Sequence, residues 1–197
     1  MPLGANKAAI MGVAGVSGEN IVLLADNSSD TTNLTSIEFD SLITSKYKEY
    51  LFRFYNINTI GGGVNWHFQG SIDGGSNYNV AMTTTFIKAY HHENDTAADL
   101  VYASGNDQAQ GTSYQDMIQS AGTQSDASIA GELHLFNPAS TTYVKHFYGR
   151  MSGMQDSPTI VDEYFAGYLN TTSAINAINF KFSSGNVNGL VKMWGVK

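Results

Sequence analysis

Hydrophobic and polar residues alternate along most of this chain, which is the pattern of β-strands with one buried face. In the segment 47–57, Tyr50, Phe52 and Phe54 fall on one face, and we predict a central strand there. The same pattern, bounded by turn residues, predicts further strands over residues 21–24, 35–42, 64–69, 79–87, 128–136, 143–150, 163–169, 177–182 and 189–196.

The segment 64–90 is predicted to form a complete β-hairpin. Val64, Trp66 and Phe68 alternate with polar residues, and a loop with paired glycines follows. Glycine adopts positive φ without strain, so this loop suits a reversal of the chain. A β-branched and aromatic return strand over 79–87 completes the hairpin.

Between residues 91 and 124 the alternation is weaker. Residues 96–102 fit a short helix, and residues 112–118 fit either a strand or a helical turn; we favour a long excursion with one strand. Nine or ten short strands with turn signals and almost no helical period predict an all-β fold. The expected architecture is a single antiparallel β-sandwich of jelly-roll type.

Residues 1–19 show neither a helical nor a strand period. Glycines interrupt their apolar residues, and no continuous apolar stretch of a signal peptide is present, so we interpret them as mature chain. We predict an extended arm that binds a partner subunit, with a sandwich domain over 20–197. The arm's anchoring side chains would be Leu3, Ile10, Met11, Val13 and Val16.

The amino-acid composition argues against several classes of function. Ten Lys and Arg residues stand against 17 Asp and Glu, giving a net charge of −7, whereas binding a nucleic-acid backbone needs converging cations. We therefore expect no nucleic-acid partner. The chain has no cysteine, which excludes thiolate chemistry, and no apolar run of the roughly 20 residues that cross a bilayer. We expect neither membrane insertion nor a cofactor.

One loop motif has the spacing Ser-x-Asp-x-Gly-x-x-aromatic, similar to the Asp-box found on hairpins of sialidases and other β-proteins. Ser71, Asp73, Gly75 and Tyr78 occupy its positions. In Asp-boxes the Ser and Asp side chains satisfy the loop's own backbone, so we predict a structural turn. A carbohydrate or metal site is the alternative, and a single copy gives no support for a propeller.

The histidines offer two candidate sites. His91 and His92 precede Glu93, but neighbours on a strand point to opposite faces, so we predict a solvated strand end. Calcium remains an alternative at the carboxylates Asp95, Asp99 and Asp107.

His134 and His146 lie on adjacent predicted strands, where they could face each other; with Glu132 and Lys145 they predict a polar cross-strand ladder. No catalytic motif accompanies them, so we predict a non-enzymatic protein. The remaining carboxylates are predicted at scattered strand edges: Glu38, Asp40, Asp162 and Glu163.

Aromatic side chains are an alternative source of function. An aromatic ring suits the apolar face of a saccharide, and the candidates for such stacking are Trp66, Tyr78 and Trp194. Both tryptophans lie in alternating strands, where core packing is the commoner role.

Several segments resemble a group of small, functionally uncharacterised proteins common in tailed bacteriophages of aquatic environments. They span nearly the whole chain: residues 3–12, 46–57, 73–78, 131–138 and 170–178. The resemblance implies a virion structural protein, assembled in the host cytoplasm and exposed on the particle. Our first expectation is a homotrimeric capsid decoration protein that docks by its arm on other virion proteins. The alternative is a tail-fibre adhesin that binds host-surface carbohydrate.

Overall fold

The computed structural model describes residues 20–156 and 158–197, and it is an antiparallel β-sandwich, as the alternation predicted. The predicted arm, with Leu3, Ile10, Met11, Val13 and Val16, lies outside the described residues. The strands are β1 (Ile21–Asp26), β2 (Ile37–Phe39), β3 (Glu49–Asn58), β4 (Val64–Ser71), β5 (Met82–His92), β6 (Ala98–Tyr102), β7 (Ala109–Gly111), β8 (Gln115–Ala121), β9 (Ile129–Phe136), β10 (Lys145–Gln155), β11 (Thr159–Leu169), β12 (Ala177–Phe182) and β13 (Asn188–Val196).

The strands form two layers. The first sheet has the order β1-β13-β3-β9-β10-β11-β5, and β6 and β7 both pair with the far edge of β5. The second sheet has the order β8-β4-β12-β2. A single residue pair, Gln155 with Ala121, joins β10 to β8. One edge of the sandwich is therefore nearly closed.

Eight of the strands have jelly-roll topology. The first, last, third and sixth of them (β1, β13, β3, β9) form one layer, and the second, seventh, fourth and fifth (β2, β12, β4, β8) form the other. The predicted jelly roll is thus confirmed. Two insertions, β5–β7 and β10–β11, pair with each other through β11 and β5. They widen the first sheet beyond the eight-stranded core.

The predicted hairpin over 64–90 is wrong. β4 lies between β8 and β12 in the second sheet, whereas β5 pairs with β11 in the first. Ten residues separate the two strands, more than the two to five of common hairpin loops, and they carry the chain between layers. The excursion after residue 91 contains three strands rather than one, and residues 98–102 form β6 instead of a helix.

The core between the sheets is aromatic at its centre. Phe180 of β12 packs against five other rings, with centroid distances from 5.1 to 6.4 Å: Phe39, Phe52, Phe54, Trp66 and Phe68. All six side chains are buried, and burial of large apolar side chains is the main favourable term in folding. Within the described part of the chain, no helix is long and apolar enough to span a membrane.

Candidate functional site

The first sheet turns one face to the core and the other to solvent. In β10 the exposure alternates strictly: His146, Tyr148, Arg150 and Ser152 are exposed, and the residues between them are buried. Residues paired in register across an antiparallel sheet lie on the same face. The solvent side of β13, β3, β9, β10, β11 and β5 is therefore one surface, which we call the outer face.

A row of charged and aromatic side chains crosses the outer face. Arg53, Glu132, Arg150 and Tyr164 are paired in register on β3, β9, β10 and β11. The Arg150 guanidinium donates two hydrogen bonds to Asp162, of 2.8 and 2.7 Å, and lies 4.9 Å from the Tyr164 ring centre. These hydrogen bonds hold the pKa of Asp162 below its ordinary value. Arg53 Nε lies 3.6 Å from Glu132 Oε2. The two acids of this row, Asp162 and Glu132, are therefore each close to an arginine.

A second row runs beside the first. Trp194, Leu51, His134 and Tyr148 are paired in register on β13, β3, β9 and β10. The His134 and Tyr148 rings are stacked with their centres 4.6 Å apart, and Arg53 lies 5.7 Å from the Trp194 ring centre. Aromatic and cationic side chains therefore cover the middle of the outer face.

Two shallow grooves, each of about 520 Å³, open on this surface. The first groove follows from the short side chains of Ala130 and Ser152, which leave a depression between longer side chains of β3 and β11. Those longer side chains include Arg53, Tyr55, Ile160 and Asp162. The second groove lies over Ala166 and Gly167 and is lined by His146, Tyr148, Tyr168, Thr83 and Thr85. Both grooves combine apolar rings with polar groups, as ligand sites usually do.

The Asp-box-like loop makes hydrogen bonds within itself. Ser71 Oγ accepts the N–H groups of Asp73 and Gly75 and donates to Asp73 Oδ1 at 2.7 Å. Asp73 also accepts hydrogen bonds from the backbone and side chain of Asn77, and these bonds hold its pKa below the ordinary value. Gly74 and Gly75 have φ of +70° and +86°. The motif therefore shapes the loop that connects the two sheets.

Replacing Ser71 by alanine is expected to lower the free energy of unfolding by about 2 kcal/mol. Ser71 is fully buried, and the substitution removes all three hydrogen bonds that its hydroxyl makes within the loop. Urea unfolding measures this change. Ser76→Ala, at an exposed position of the same loop, is the control and should change stability by less than about 0.5 kcal/mol. An equal effect of the two substitutions would contradict the assigned role.

The three aromatic candidates lie in three different places. Trp66 is fully buried between the sheets, so it offers no face to a sugar. Trp194 lies partly exposed on the outer face, beneath Arg53. Tyr78 is half-buried in the loop after β4; its burial, with Glu38 nearby, raises the pKa of its hydroxyl. They form no common site, and of the three only Trp194 lies on the outer face.

The candidate histidines do not form one site either. His91 lies 3.0 Å from Asp95, and His92 contacts Thr96. Across residues 20–156 and 158–197, no three His, Asp or Glu side chains form a group that could hold a metal ion. His134 is paired with Tyr148 rather than with His146, which corrects the predicted ladder.

Lys145 also departs from the predicted ladder. It is buried and donates to the carbonyl oxygens of Tyr143 and Thr171, both at 2.9 Å. Burial lowers the pKa of this ammonium group. Lys145 therefore belongs to the interior of the sandwich and takes no part in the outer face.

The comparisons with known proteins assign no family. No protein-family model matches the chain, and no curated protein matches it. Among solved structures, a crystal structure from Bacteroides ovatus, described as structural genomics of unknown function, matches with a TM-score of 0.30 and 7% identity. The match covers 53% of this chain and 45% of that one. The chain therefore spans less than half the length of that neighbour.

Arg53, Tyr148, Arg150 and Tyr164 were not among the residues predicted from the sequence. Each lies at a polar or exposed position of an alternating strand, so the alternation alone indicates which face of the sheet it occupies. The alternation does not show that they are neighbours, because this depends on the order β3-β9-β10-β11, which brings together strands that are far apart in the sequence.

Proposed function

We propose that this chain is a non-enzymatic structural protein of a tailed bacteriophage, a homotrimeric capsid decoration protein that docks by residues 1–19 and displays its jelly roll on the particle. The likeness of the segments 46–57 and 131–138 to such proteins supports the placement. The observation that carries the proposal is the outer face, which presents large exposed side chains. Among them are Tyr148, Ile160 and Tyr164. The exposed Leu100 and Tyr102 of β6, paired in register with β5, continue this surface beyond its edge, and such surfaces mark interaction sites.

The electrostatics of the outer face support a binding role over a catalytic one. A general acid or base works best when its pKa lies near the operating pH. Hydrogen bonding to Arg150 moves the pKa of Asp162 away from that range, and Glu132 lies within an ion-pair distance of Arg53. These carboxylates fix the positions of arginine side chains on a rigid sheet.

Locating the chain on purified particles tests this proposal. We expect image reconstruction to place many copies over the shell, and native mass spectrometry of the isolated protein to give a trimer. Deleting residues 2–19 should prevent incorporation while leaving the circular dichroism of the β-sandwich unchanged. The proposal would be refuted if the truncated chain were incorporated as well as the wild type, or if the protein were absent from particles.

A tail-fibre adhesin that binds host-surface carbohydrate is the second candidate. The two grooves with tyrosine side chains in and beside them favour it, because aromatic rings are common contacts for the apolar faces of sugars. In this case the same reconstruction should place a small number of copies at the tail and none over the shell.

A further inference from the structure

We infer that the first groove, over Ala130 and Ser152, is a binding site for a neutral oligosaccharide. The inference rests on the adhesin form of the proposed function and names its site and its ligand class.

The groove has the shape that a sugar ring needs. Ala130 and Ser152 are paired in register on β9 and β10 and provide a floor of short, exposed side chains. Tyr55 lines the groove from β3 and Ile160 from β11; both are exposed, at 39% and 49%. A ring that lies on this floor would contact apolar surface on two sides, as small ligands commonly do in their pockets.

The charges around the groove select a neutral ligand. Arg53, Arg150, Glu132 and Asp162 line it, so its formal charges cancel. Arg150 is bound to Asp162 through two hydrogen bonds, and Arg53 lies close to Glu132. An acidic polysaccharide would gain little attraction here, because each cation already has its counter-charge.

The ion pair of Arg150 with Asp162 leaves N–H groups of Arg150 that can donate to the hydroxyl groups of a ligand. Arg150 donates to Asp162 from Nε and Nη2, and among the described residues its Nη1 has no acceptor. A guanidinium has five N–H groups, so Nη1 can donate to ligand oxygens while Asp162 fixes the orientation of the plane. Ser152 adds a hydroxyl on the groove floor. Donors on the floor and rim, between the apolar side chains of Tyr55 and Ile160, suit a polyhydroxylated, uncharged ligand.

The test uses the full chain and defined probes. Neutral probes are maltohexaose, cellohexaose and mannohexaose, and acidic probes are oligogalacturonate and oligosialic acid, measured by calorimetry and by NMR shift mapping. Ser152→Trp fills the groove at an exposed position of a strand, where an aromatic residue is well tolerated. Ile87→Trp introduces the same side chain on β5, elsewhere on the outer face, and Ile87 is not among the residues that line either groove.

We expect at least one neutral probe to bind with shifts centred on residues 130 and 152. Ser152→Trp should weaken that binding more than about tenfold, and Ile87→Trp less than about twofold. Arg150→Lys, which keeps the charge but loses the two-pronged bond to Asp162, should also weaken it. Binding of acidic probes alone, binding insensitive to Ser152→Trp, or no binding by any probe would overturn the inference.

These outcomes are separate from those of particle localisation. A chain located on the shell that binds no glycan refutes this site and leaves the decoration role standing. A chain that binds a neutral glycan in the groove but is absent from particles refutes the virion role and leaves the site standing.

Discussion

Replacing Phe180 by alanine is expected to lower the free energy of unfolding by about 4 kcal/mol. Phe180 is fully buried and contacts the rings of five other residues from both sheets. Its removal loses the transfer free energy of the ring and leaves a cavity that rigid neighbouring strands cannot fill. Chemical denaturation measures this loss from the shift of the unfolding midpoint, when the wild type and the variant have the same m-value. The total stability of such domains is about 5–15 kcal/mol, so the loss is a large part of it.

Two further variants make this prediction specific. Phe180→Leu keeps most of the buried volume and should cost less than half as much as the alanine variant. Tyr143→Ala removes an aromatic ring that is 70% exposed, and it should change stability by less than about 0.5 kcal/mol. If all three variants unfold at the same denaturant concentration, Phe180 is not the centre of the core.

Those features of the fold that depend on residues close together in the sequence could be predicted. The alternation of Tyr50, Phe52 and Phe54 gave the buried face of β3, and all three are buried in the structure. The segments 128–136 and 143–150, predicted as adjacent strands, correspond to β9 and β10, which pair with each other. The hairpin of β4 with β5 failed because alternation shows which side chains of a strand are buried, whereas the choice of partner depends on the assembly of the whole sheet.

The candidate site was less predictable than the fold. Arg150 and Asp162 are only twelve residues apart, but their contact needs the β10–β11 pairing, and Asp162 was predicted at a strand edge. β11 starts at Thr159 rather than at residue 163, so Asp162 and Glu163 both lie within the strand and point to opposite faces. One residue of register decides which carboxylate meets solvent and which one is buried.

Glu163 is the carboxylate that faces inward, and it lies where the sandwich nearly closes. It is fully buried, and its Oε2 accepts the backbone N–H of Gln119 on β8 at 2.8 Å. Lys88 Nζ on β5 lies 3.8 Å from its Oε1, which has no hydrogen-bond partner among the described residues. The side chain thus connects β11 of the first sheet to β8 of the second.

Burial raises the pKa of Glu163 to about 7, against an ordinary value of 4.5. The hydrogen bond from Gln119 and the charge of Lys88 oppose this effect, and the charge of Asp116 adds to it. Because the folded protein holds this proton more tightly than the unfolded chain, folding is favoured at low pH. The contribution is complete below about pH 4.5 and is lost as the pH rises through 7.

We therefore expect the stability of the wild-type protein to fall, relative to Glu163→Gln, by up to about 3 kcal/mol between pH 4.5 and pH 8. Glutamine keeps the size of the side chain and an acceptor for Gln119 but cannot ionise, and subtracting the two stability curves cancels the titration of all other groups. Urea unfolding at several pH values gives the difference, and NMR titration of the Glu163 carboxyl carbon gives its pKa directly. A difference that stays constant from pH 4 to pH 8 would show that Glu163 titrates as an ordinary carboxylate and that water reaches the junction of β8 with β11.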